Sequence, residues 1–389
     1  MRLADRAAPR GDLNDIARIR AALAAQDIAV TDLSDSNPTR HRLTHPGVLP
    51  TIEKHIHDAA RYQPHPRGPA EAREALAARY GGDPQDYWLT SSTSQAYAWL
   101  MTLLADPGQA VAVPSPGYPL IPPIARFTGV RTLDYRYHYA HPHGWILDRR
   151  SLDEAAADPT VRAVVAVNPG NPTGAYVDAE RGDLLDVCEE RGLAVISDEV
   201  FGEFALDGTP TTLAGEQRIP TFALGGLSKL LCAPQLKLAW IRLSGPPADL
   251  APARDGLDAI ADAFLPVSAP VAAALRDLLA LVPESVTATR QRLATNLAAA
   301  RALFDGTGYR VRRCEGGWTV IVDVPRTAAS DTLAEQLLRC ARLAVHPGWF
   351  YDMPHRGALT VSLLPEPGEF ADGMRRLKIA VDETADAAS

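Results

Sequence analysis

The chain has 389 residues, of which 46% are hydrophobic and 22% are charged, a composition typical of a globular protein with more than one domain-sized core. Its formal net charge of −8 disfavours nucleic acid or an anionic membrane as a partner, because both require a basic surface. No apolar run approaches the roughly 18 residues of a membrane-spanning helix. The N-terminal segment also lacks the apolar stretch of a signal peptide, so we expect a cytoplasmic protein.

The first elements in chain order are helical. A helix pattern starts at Asp12, a plausible N-cap, and a second helix is predicted over 69–80, with Gly81 and Gly82 as its stop. The polar segment 34–42 between them contains a proline and is predicted to be a loop.

Short apolar runs rich in β-branched residues then alternate with helical segments. Continuous apolar runs indicate strands that are buried on both faces, and their alternation with helices predicts an α/β fold with a mostly parallel central sheet covered by helices on both sides. The clearest of these helices is 179–191, with Asp178 as its N-cap and Gly192 as its stop. The apolar runs lie at 110–113, 161–167, 193–197, 221–224 and 238–242.

The last third of the chain has a different pattern. A long helix broken near Pro283 is predicted over 267–304. Strand patterns at 318–324 and 358–364, with a helix at 331–342, then predict a smaller α+β unit.

Candidate functional residues follow the predicted strands, because ligands bind beyond the carboxyl ends of strands in an open α/β sheet. The segment SSTSQAY (91–97) brings hydroxyl groups to a helix start, which suits either an anion or an ordinary helix cap. The turn NPGNPTG (168–174) is rigid enough to hold Asn171 toward a ligand.

Two charged residues also stand at or just after the end of a predicted strand. Asp198 ends a buried strand, where a carboxylate is desolvated and requires a cationic partner, or else caps a helix. Lys229 is a single lysine in the glycine-rich turn GGLSK (225–229), where a solvated loop lysine would be the ordinary interpretation.

In their order along the chain, these segments resemble the class I/II aminotransferases, which are fold-type-I pyridoxal-phosphate enzymes of the aspartate aminotransferase superfamily. The resemblance covers nearly the whole chain and implies pyridoxal 5'-phosphate (PLP) as the cofactor. The matching segments are SNP (36–38), SPGYP (115–119), NPGNPTG (168–174), SDEVF (197–201), LSK (227–229) and PGWFY (347–351). The implied domains are an N-terminal arm with part of the small domain (1–47), a large PLP-binding domain of PLP fold type I (48–285) and a C-terminal small α+β domain (286–389).

The resemblance also implies roles for individual residues. Lys229 would hold the cofactor as a Schiff base and move the reacting proton, and Asp198 would keep the pyridine nitrogen protonated. Asn171 would bind the phenolic oxygen O3′, and Tyr118 would stack on the ring. The other implied cofactor contacts are Thr93, Ser94, Ser228, Lys237 and, from the neighbouring subunit of a homodimer with shared active sites, Tyr62.

Four positions depart from the family pattern. Phe201 replaces a tyrosine whose hydroxyl donates to O3′, and Gly226 replaces a serine that commonly helps to bind phosphate. Lys237 replaces an arginine and offers a point charge without the bidentate fork. Thr360 stands where an arginine normally binds the substrate α-carboxylate.

A different residue is therefore expected to bind the substrate carboxylate, unless the substrate is presented differently. Arg356 is the nearest candidate in the chain, and Asn37 of the SNP segment is a second expected substrate contact. Arg40, Arg42 and Arg67 are weaker candidates, since each is more simply explained as a surface charge.

The implied function is transfer of an amino group between an amino donor and a 2-oxo acid. Elimination, oxidation or cyclisation of an amino acid by a PLP enzyme remains an alternative, because small changes at such a site redirect the same chemistry. A non-catalytic PLP-binding module is a further alternative, disfavoured by the presence of both Lys229 and Asp198. No metal site is expected, since the histidine pairs of the sequence have no third ligand at a suitable spacing.

Overall fold

A computed structural model of the chain describes residues 3–8, 14–178, 180–325, 330–353 and 357–388. The α-helices of these residues are α1 Asp15–Ala25, α2 Val48–Lys54, α3 Ala70–Tyr80, α4 Thr93–Leu104, α5 Ile121–Thr128, α6 Arg149–Ala156, α7 Arg181–Arg191, α8 Leu227–Leu230, α9 Pro247–Asp262, α10 Ala269–Ala273, α11 Leu275–Ala280, α12 Val282–Phe304, α13 Ser330–Cys340 and α14 Pro367–Ala388. The strands are β1 Thr31–Asp32, β2 Tyr87–Thr90, β3 Ala110–Ser115, β4 Arg131–Ala140, β5 Gly144–Leu147, β6 Val161–Val167, β7 Ala194–Asp198, β8 Thr221–Gly226, β9 Ala239–Ser244, β10 Arg310–Val311, β11 Thr319–Asp323, β12 Leu343–Ala344, β13 His346–Pro347 and β14 Ala358–Ser362.

An eight-stranded sheet forms the larger part of the molecule. Its strand order is β2-β9-β8-β7-β6-β3-β4-β5. The five neighbouring strands β8, β7, β6, β3 and β4 are parallel, whereas β9 is antiparallel to both of its neighbours and β5 is antiparallel to β4. The predicted mostly parallel sheet is therefore confirmed, and each of the five apolar runs forms one of its strands.

Both faces of this sheet are covered, as the continuous apolar runs require. Val111 and Val165 belong to an apolar cluster that includes residues of α4, α5 and α9. The adjacent residues Ala112 and Val164 point to the opposite face, where they belong to a cluster with residues of α6 and α7. Alternate residues of one strand thus serve two separate cores.

The helix starts differ from the sequence predictions in two places. Helix α1 begins at Asp15, and its N-cap is Asn14, whose side chain accepts a hydrogen bond from the Ala17 amide at 2.8 Å. The predicted cap Asp12 lies outside the described residues. Asparagine caps a helix as well as aspartate does, so the pattern alone does not choose between them.

The second difference concerns α7, which begins at Arg181. Its N-cap residue is Glu180, which makes no side-chain capping hydrogen bond, so the prediction that Asp178 caps this helix is wrong. The predicted stop is confirmed, because Gly192 ends the helix in the left-handed conformation with φ 63°.

The stretch 267–304 contains three helices, α10 to α12, where the sequence predicted one helix with a single break. The breaks are at Ala274 and Leu281, and Pro283 lies in the first turn of α12, where a missing N–H costs nothing. The predicted domain boundary after residue 285 falls inside α12, and the division into domains stays a prediction.

The smaller part of the molecule contains an antiparallel sheet of order β10-β11-β14-β13 and a parallel pair of β1 and β12. Helix α12 joins the two parts. Its residue Arg290 donates to the Ala205 carbonyl at 2.9 Å, and Thr289 lies 3.4 Å from the sulfur of Cys232. Among the described residues, no helix is long and apolar enough to span a membrane.

Candidate active site

The four central side chains of the sequence prediction converge at one edge of the large sheet. Tyr118, Asn171, Asp198 and Lys229 follow or end four neighbouring strands, β3, β6, β7 and β8. Together with Thr93 they line a cavity of about 300 Å³. This arrangement follows from the parallel topology, because the carboxyl ends of parallel strands meet at the same edge.

The start of α4 has the properties of an anion site. Ser92 is the N-cap, and its hydroxyl accepts a hydrogen bond from the Gln95 amide at 3.2 Å. The amides of Thr93 and Ser94 have no acceptor among the described residues. Free amides and the positive end of the helix dipole favour a phosphate group at this position.

The 168–174 loop is held by its first asparagine. The Asn168 side chain accepts from the Val177 amide and donates to the Thr211 carbonyl, both at 2.9 Å. Asn171 is therefore presented by a fixed turn, and its Oδ1 atom is buried without a hydrogen-bond partner. A buried amide group without a partner is costly, so Asn171 is suited to a ligand.

Asp198 brings a buried carboxylate to the cavity. It is 3% exposed, and burial raises its pKa to about 6, against the lowering effects of hydrogen bonds and of the nearby Lys229 charge. The Val200 amide donates to Oδ1 at 3.2 Å, and the Tyr97 hydroxyl donates to Oδ2 at 3.0 Å. A ligand cation would compensate for the desolvation of this group.

Lys229 lies in the short helix α8, directly after β8. Its Nζ atom lies 4.7 Å from the ring centre of Trp318 and 5.3 Å from that of Phe201. It has no hydrogen-bond or ion-pair partner among the described residues, and burial lowers its pKa. A neutral amine in this environment is a nucleophile suited to a carbonyl compound.

Several aromatic side chains also line the cavity. Phe201 packs against Trp318 with ring centres 5.4 Å apart, and His346 stacks on Phe350 at 4.4 Å. The Tyr351 hydroxyl lies 3.2 Å from Nδ1 of His346. Burial lowers the pKa of His346 to about 4, so this side chain is uncharged at neutral pH.

Thr360 lies in β14, paired with His346 of β13. It is 1% exposed, and its hydroxyl has no hydrogen-bond partner. The strand position at which an arginine was expected therefore holds a short, neutral and buried side chain. The expected replacement, Arg356, lies outside the described residues.

The other candidate arginines have structural partners or lie on the surface. Arg67 forms a bidentate ion pair with Asp258 at 2.7 and 2.5 Å, and Arg40 lies 3.4 Å from Asp35. Arg42 is exposed.

Five of the predicted contacts that the structure describes do not line the cavity of the single chain, and Ser94, in the first turn of α4, is one of them. Ser228 directly precedes Lys229 in α8. Lys237 is exposed, and the side chain of Tyr62 is 79% exposed. Asn37 Oδ1 accepts hydrogen bonds from the amide and hydroxyl of Thr39 at 3.1 and 2.7 Å.

Sequence reasoning missed several residues of the site. Ser34, Ser36 and Trp318 line the cavity. Tyr97, which touches Asp198, was also missed. One available signal was its position four residues after Thr93, on the same face of α4.

These residues fit PLP. The start of α4 offers amides for a phosphate, and Asn171 Oδ1 is a buried polar atom without a partner. Asp198 provides a buried carboxylate for a protonated ring nitrogen, and Lys229 provides an amine for the aldehyde. Among the described residues, no group of three or more His, Cys, Asp or Glu side chains could hold a metal ion.

Comparisons with known proteins identify the family of the chain. The family model "Aminotransferase class I and II" matches residues 29–367. The chain is 26% identical to tyrosine aminotransferase of Caenorhabditis elegans over 74% of the chain and 64% of that protein. It is 32% identical to nicotianamine aminotransferase 1 of Oryza sativa subsp. japonica over 45% of the chain and 37% of that protein. The chain thus spans less than two thirds of the length of these curated relatives.

The fold has close counterparts among solved structures. An alanine aminotransferase from Pyrococcus furiosus superposes with a TM-score of 0.88 at 22% sequence identity, covering 98% of this chain and 100% of that chain. This similarity confirms the predicted fold class, a large sheet of fold type I with a smaller α+β part.

Proposed function

The chain belongs to the class I and II aminotransferase family, and from this premise we propose that it is a PLP-dependent aminotransferase that moves an amino group between an amino donor and a 2-oxo acid. The observation that carries the proposal is the meeting of Lys229, Asp198 and Asn171 in one cavity at the carboxyl edge of the parallel sheet. Bound PLP supplies an electron sink for the carbon that gains or loses the amino group.

Each of these residues has a defined role in the proposed reaction. The Lys229 amine holds the cofactor and moves the proton of the reacting carbon, and its lowered pKa favours the neutral form that both tasks require. The Asp198 carboxylate holds a proton on the ring nitrogen. Asn171 hydrogen-bonds the phenolic oxygen, and Tyr118 covers one face of the ring.

The phosphate is proposed to bind at the start of α4, to Thr93 and Ser94, with Ser228 and Lys237 as further contacts. The free amides of the first two residues support this assignment. Lys237 would contribute its charge from the surface end of the site, where its side chain is exposed.

We propose a homodimer in which Tyr62 completes the phosphate site of the partner subunit. Its exposed side chain does not line the cavity of its own chain, which fits a role in the other subunit. Leu49, Ile56 and Phe264 are large apolar side chains that are also exposed, at 67%, 46% and 61%. Burial of such residues between two copies would favour association. Sedimentation analysis of the holoenzyme tests this assignment.

For the substrate carboxylate, Arg356 is the proposed ligand, with Asn37 as a second contact. The support is the neutral, buried Thr360 at the usual arginine position, which leaves the carboxylate without a partner in β14. The same observation favours an alternative function, in which a PLP-dependent eliminase, oxidase or cyclase redirects the same chemistry on an amino acid.

A single-turnover experiment separates these functions. The holoenzyme is mixed with an amino donor alone, and ammonia is measured together with the cofactor absorbance. In an aminotransferase the amino group stays on the enzyme until a 2-oxo acid is added, whereas elimination or oxidation releases ammonia. Ammonia released at the rate of donor consumption would contradict transamination.

Lys229→Ala tests the central residue. The variant should fold and lose turnover, because the amine performs chemistry at the cavity and contributes little to the core. Lys378→Ala is a matched control, since that lysine pairs with Asp382 on α14, away from the cavity. More than a trace of turnover in purified Lys229→Ala would contradict the assignment.

We also propose that the protein works in the cytoplasm. All four cysteines are unpaired, which supports a reducing compartment. Cell fractionation tests this placement.

A further inference from the structure

Tyr97 connects the anion site of α4 with the carboxylate of β7. Its side chain is fully buried, and its hydroxyl donates to Oδ2 of Asp198 at 3.0 Å. Thr93, at the proposed phosphate end, lies one turn earlier on the same face of α4. One helix therefore contacts both ends of the proposed cofactor site.

The Tyr97 hydroxyl acts as a donor in this contact. Burial, and then the neighbouring Asp198 charge, raise the pKa of Tyr97 well above its usual value, so the phenol keeps its proton. Oδ1 of Asp198 accepts from the Val200 amide at 3.2 Å. With one donor on each oxygen, the carboxylate is held in a single orientation.

We propose that Tyr97 is the positioning residue of Asp198, and that its hydrogen bond keeps this carboxylate anionic so that the proton remains on the ring nitrogen of the bound cofactor. This inference rests on the proposed use of PLP. It assigns to Tyr97 a role in catalysis through Asp198, without contact to the substrate.

The direction of the effect follows from the hydrogen bond. A donor stabilises the carboxylate anion and makes Asp198 a weaker base. When the hydroxyl is removed, the buried carboxylate becomes a stronger base. In the loaded protein the proton of the ring nitrogen would then pass to Asp198, where an O–H bond would form as the N–H bond breaks, and the ring would become neutral. A neutral ring is a weaker electron sink, so the rate should fall, by about ten- to a hundredfold for one hydrogen bond to a charged group.

Tyr97→Phe tests the proposal, because it removes the hydroxyl and keeps the ring. The apoprotein is loaded with PLP labelled with 15N in the ring, and the nitrogen chemical shift is measured by NMR at pH 7.5. We expect the signal to move from the protonated toward the neutral position. We also expect kcat to fall about ten- to a hundredfold with KM little changed.

Tyr87→Phe is the matched control. Tyr87 is equally buried, and its hydroxyl donates to the Gly81 carbonyl at 2.7 Å, away from Asp198. Its loss should lower thermal stability by a similar amount and leave the nitrogen signal unchanged. A nitrogen signal that is the same in Tyr97→Phe as in wild type would overturn the proposal.

A double-mutant cycle with Asp198→Asn adds a second criterion. If Tyr97 acts through Asp198, Tyr97→Phe should have little further effect on kcat in the Asp198→Asn background. Independent, additive losses would also overturn the proposal. The nitrogen signal reports on Tyr97 even if the holoenzyme does not transaminate, so failure of the proposed function and failure of this inference are distinguishable.

Discussion

Replacement of Asp198 by asparagine should stabilise the apoprotein. Burial raises the pKa of this group from 3.8 to about 6. Each unit of such a shift corresponds to roughly 1.4 kcal/mol. Holding Asp198 ionised in the folded apoprotein therefore costs roughly 3 kcal/mol at neutral pH. An asparagine has the same shape and no charge, so Asp198→Asn should recover much of this cost.

The pH dependence follows from the sign of the shift. A carboxyl group with a raised folded-state pKa opposes folding above that pKa, and this cost disappears below the pKa of the unfolded chain. The gain from Asp198→Asn should be full at pH 7.5 and about half as large at pH 5, because the folded wild type is then mostly protonated.

The assay is urea unfolding of both apoproteins at equal concentration at pH 7.5 and pH 5. We expect a gain of about 1–3 kcal/mol at pH 7.5, below the full cost because the new amide hydrogens must find acceptors. Asp258→Asn is the control of opposite sign. Burial alone would raise the pKa of Asp258, but the hydrogen bonds from Arg67 and Trp88 and the Arg67 charge together lower it. An Asp198→Asn apoprotein no more stable than wild type at pH 7.5 would refute the reasoning.

Three further outcomes are expected. The holoenzyme of Asp198→Asn should lose at least about three orders of magnitude in rate, the equivalent of a few kcal/mol of lost stabilisation, and a rate within about tenfold of wild type would contradict its role. Phe201→Tyr should lower the pKa of the linkage between Lys229 and the cofactor in a spectroscopic titration, because a hydrogen-bond donor to O3′ favours the deprotonated form of that linkage. An unchanged or higher pKa would show that the new hydroxyl does not reach O3′. Arg356→Ala should raise KM for the 2-oxo acid about tenfold or more, with a smaller change in kcat, whereas Arg40→Ala should leave both unchanged. A KM of Arg356→Ala equal to that of wild type would show that Arg356 does not bind the substrate.

The main sheet was predictable because its strands are buried on both faces. The strand 161–167 consists almost entirely of Val and Ala. A short, continuous apolar run of this kind is typical of a strand that is buried on both faces. The pair β4 and β5 was missed, since these strands form an exposed edge and carry Arg131, Asp134 and His138 among their apolar residues. At an exposed edge, polarity no longer separates a strand from a loop.

The site was predictable to the extent that its residues stand at strand ends. Lys229, Asp198 and Asn171 have local motifs, and the parallel topology brings them together. The contact between Tyr97 and Asp198 joins residues 101 positions apart and has no local motif. The motif predicted that Asn171 faces a ligand but gave no sign that Asn168 holds the loop, since that role depends on Thr211 in a distant segment.

Two of the side-chain hydrogen bonds of Asn168 have a consequence for how the cofactor is acquired. Because they tie the loop to the Val177 amide and the Thr211 carbonyl, the loop is ordered when the chain folds, before any ligand arrives. The loss of conformational entropy that orders this segment therefore occurs during folding. Cofactor binding then requires little further ordering of the loop, so the affinity is reduced little by it. We therefore expect Asn171 to be held in place before the cofactor binds, so that its proposed contact with the ring would require little rearrangement of the loop.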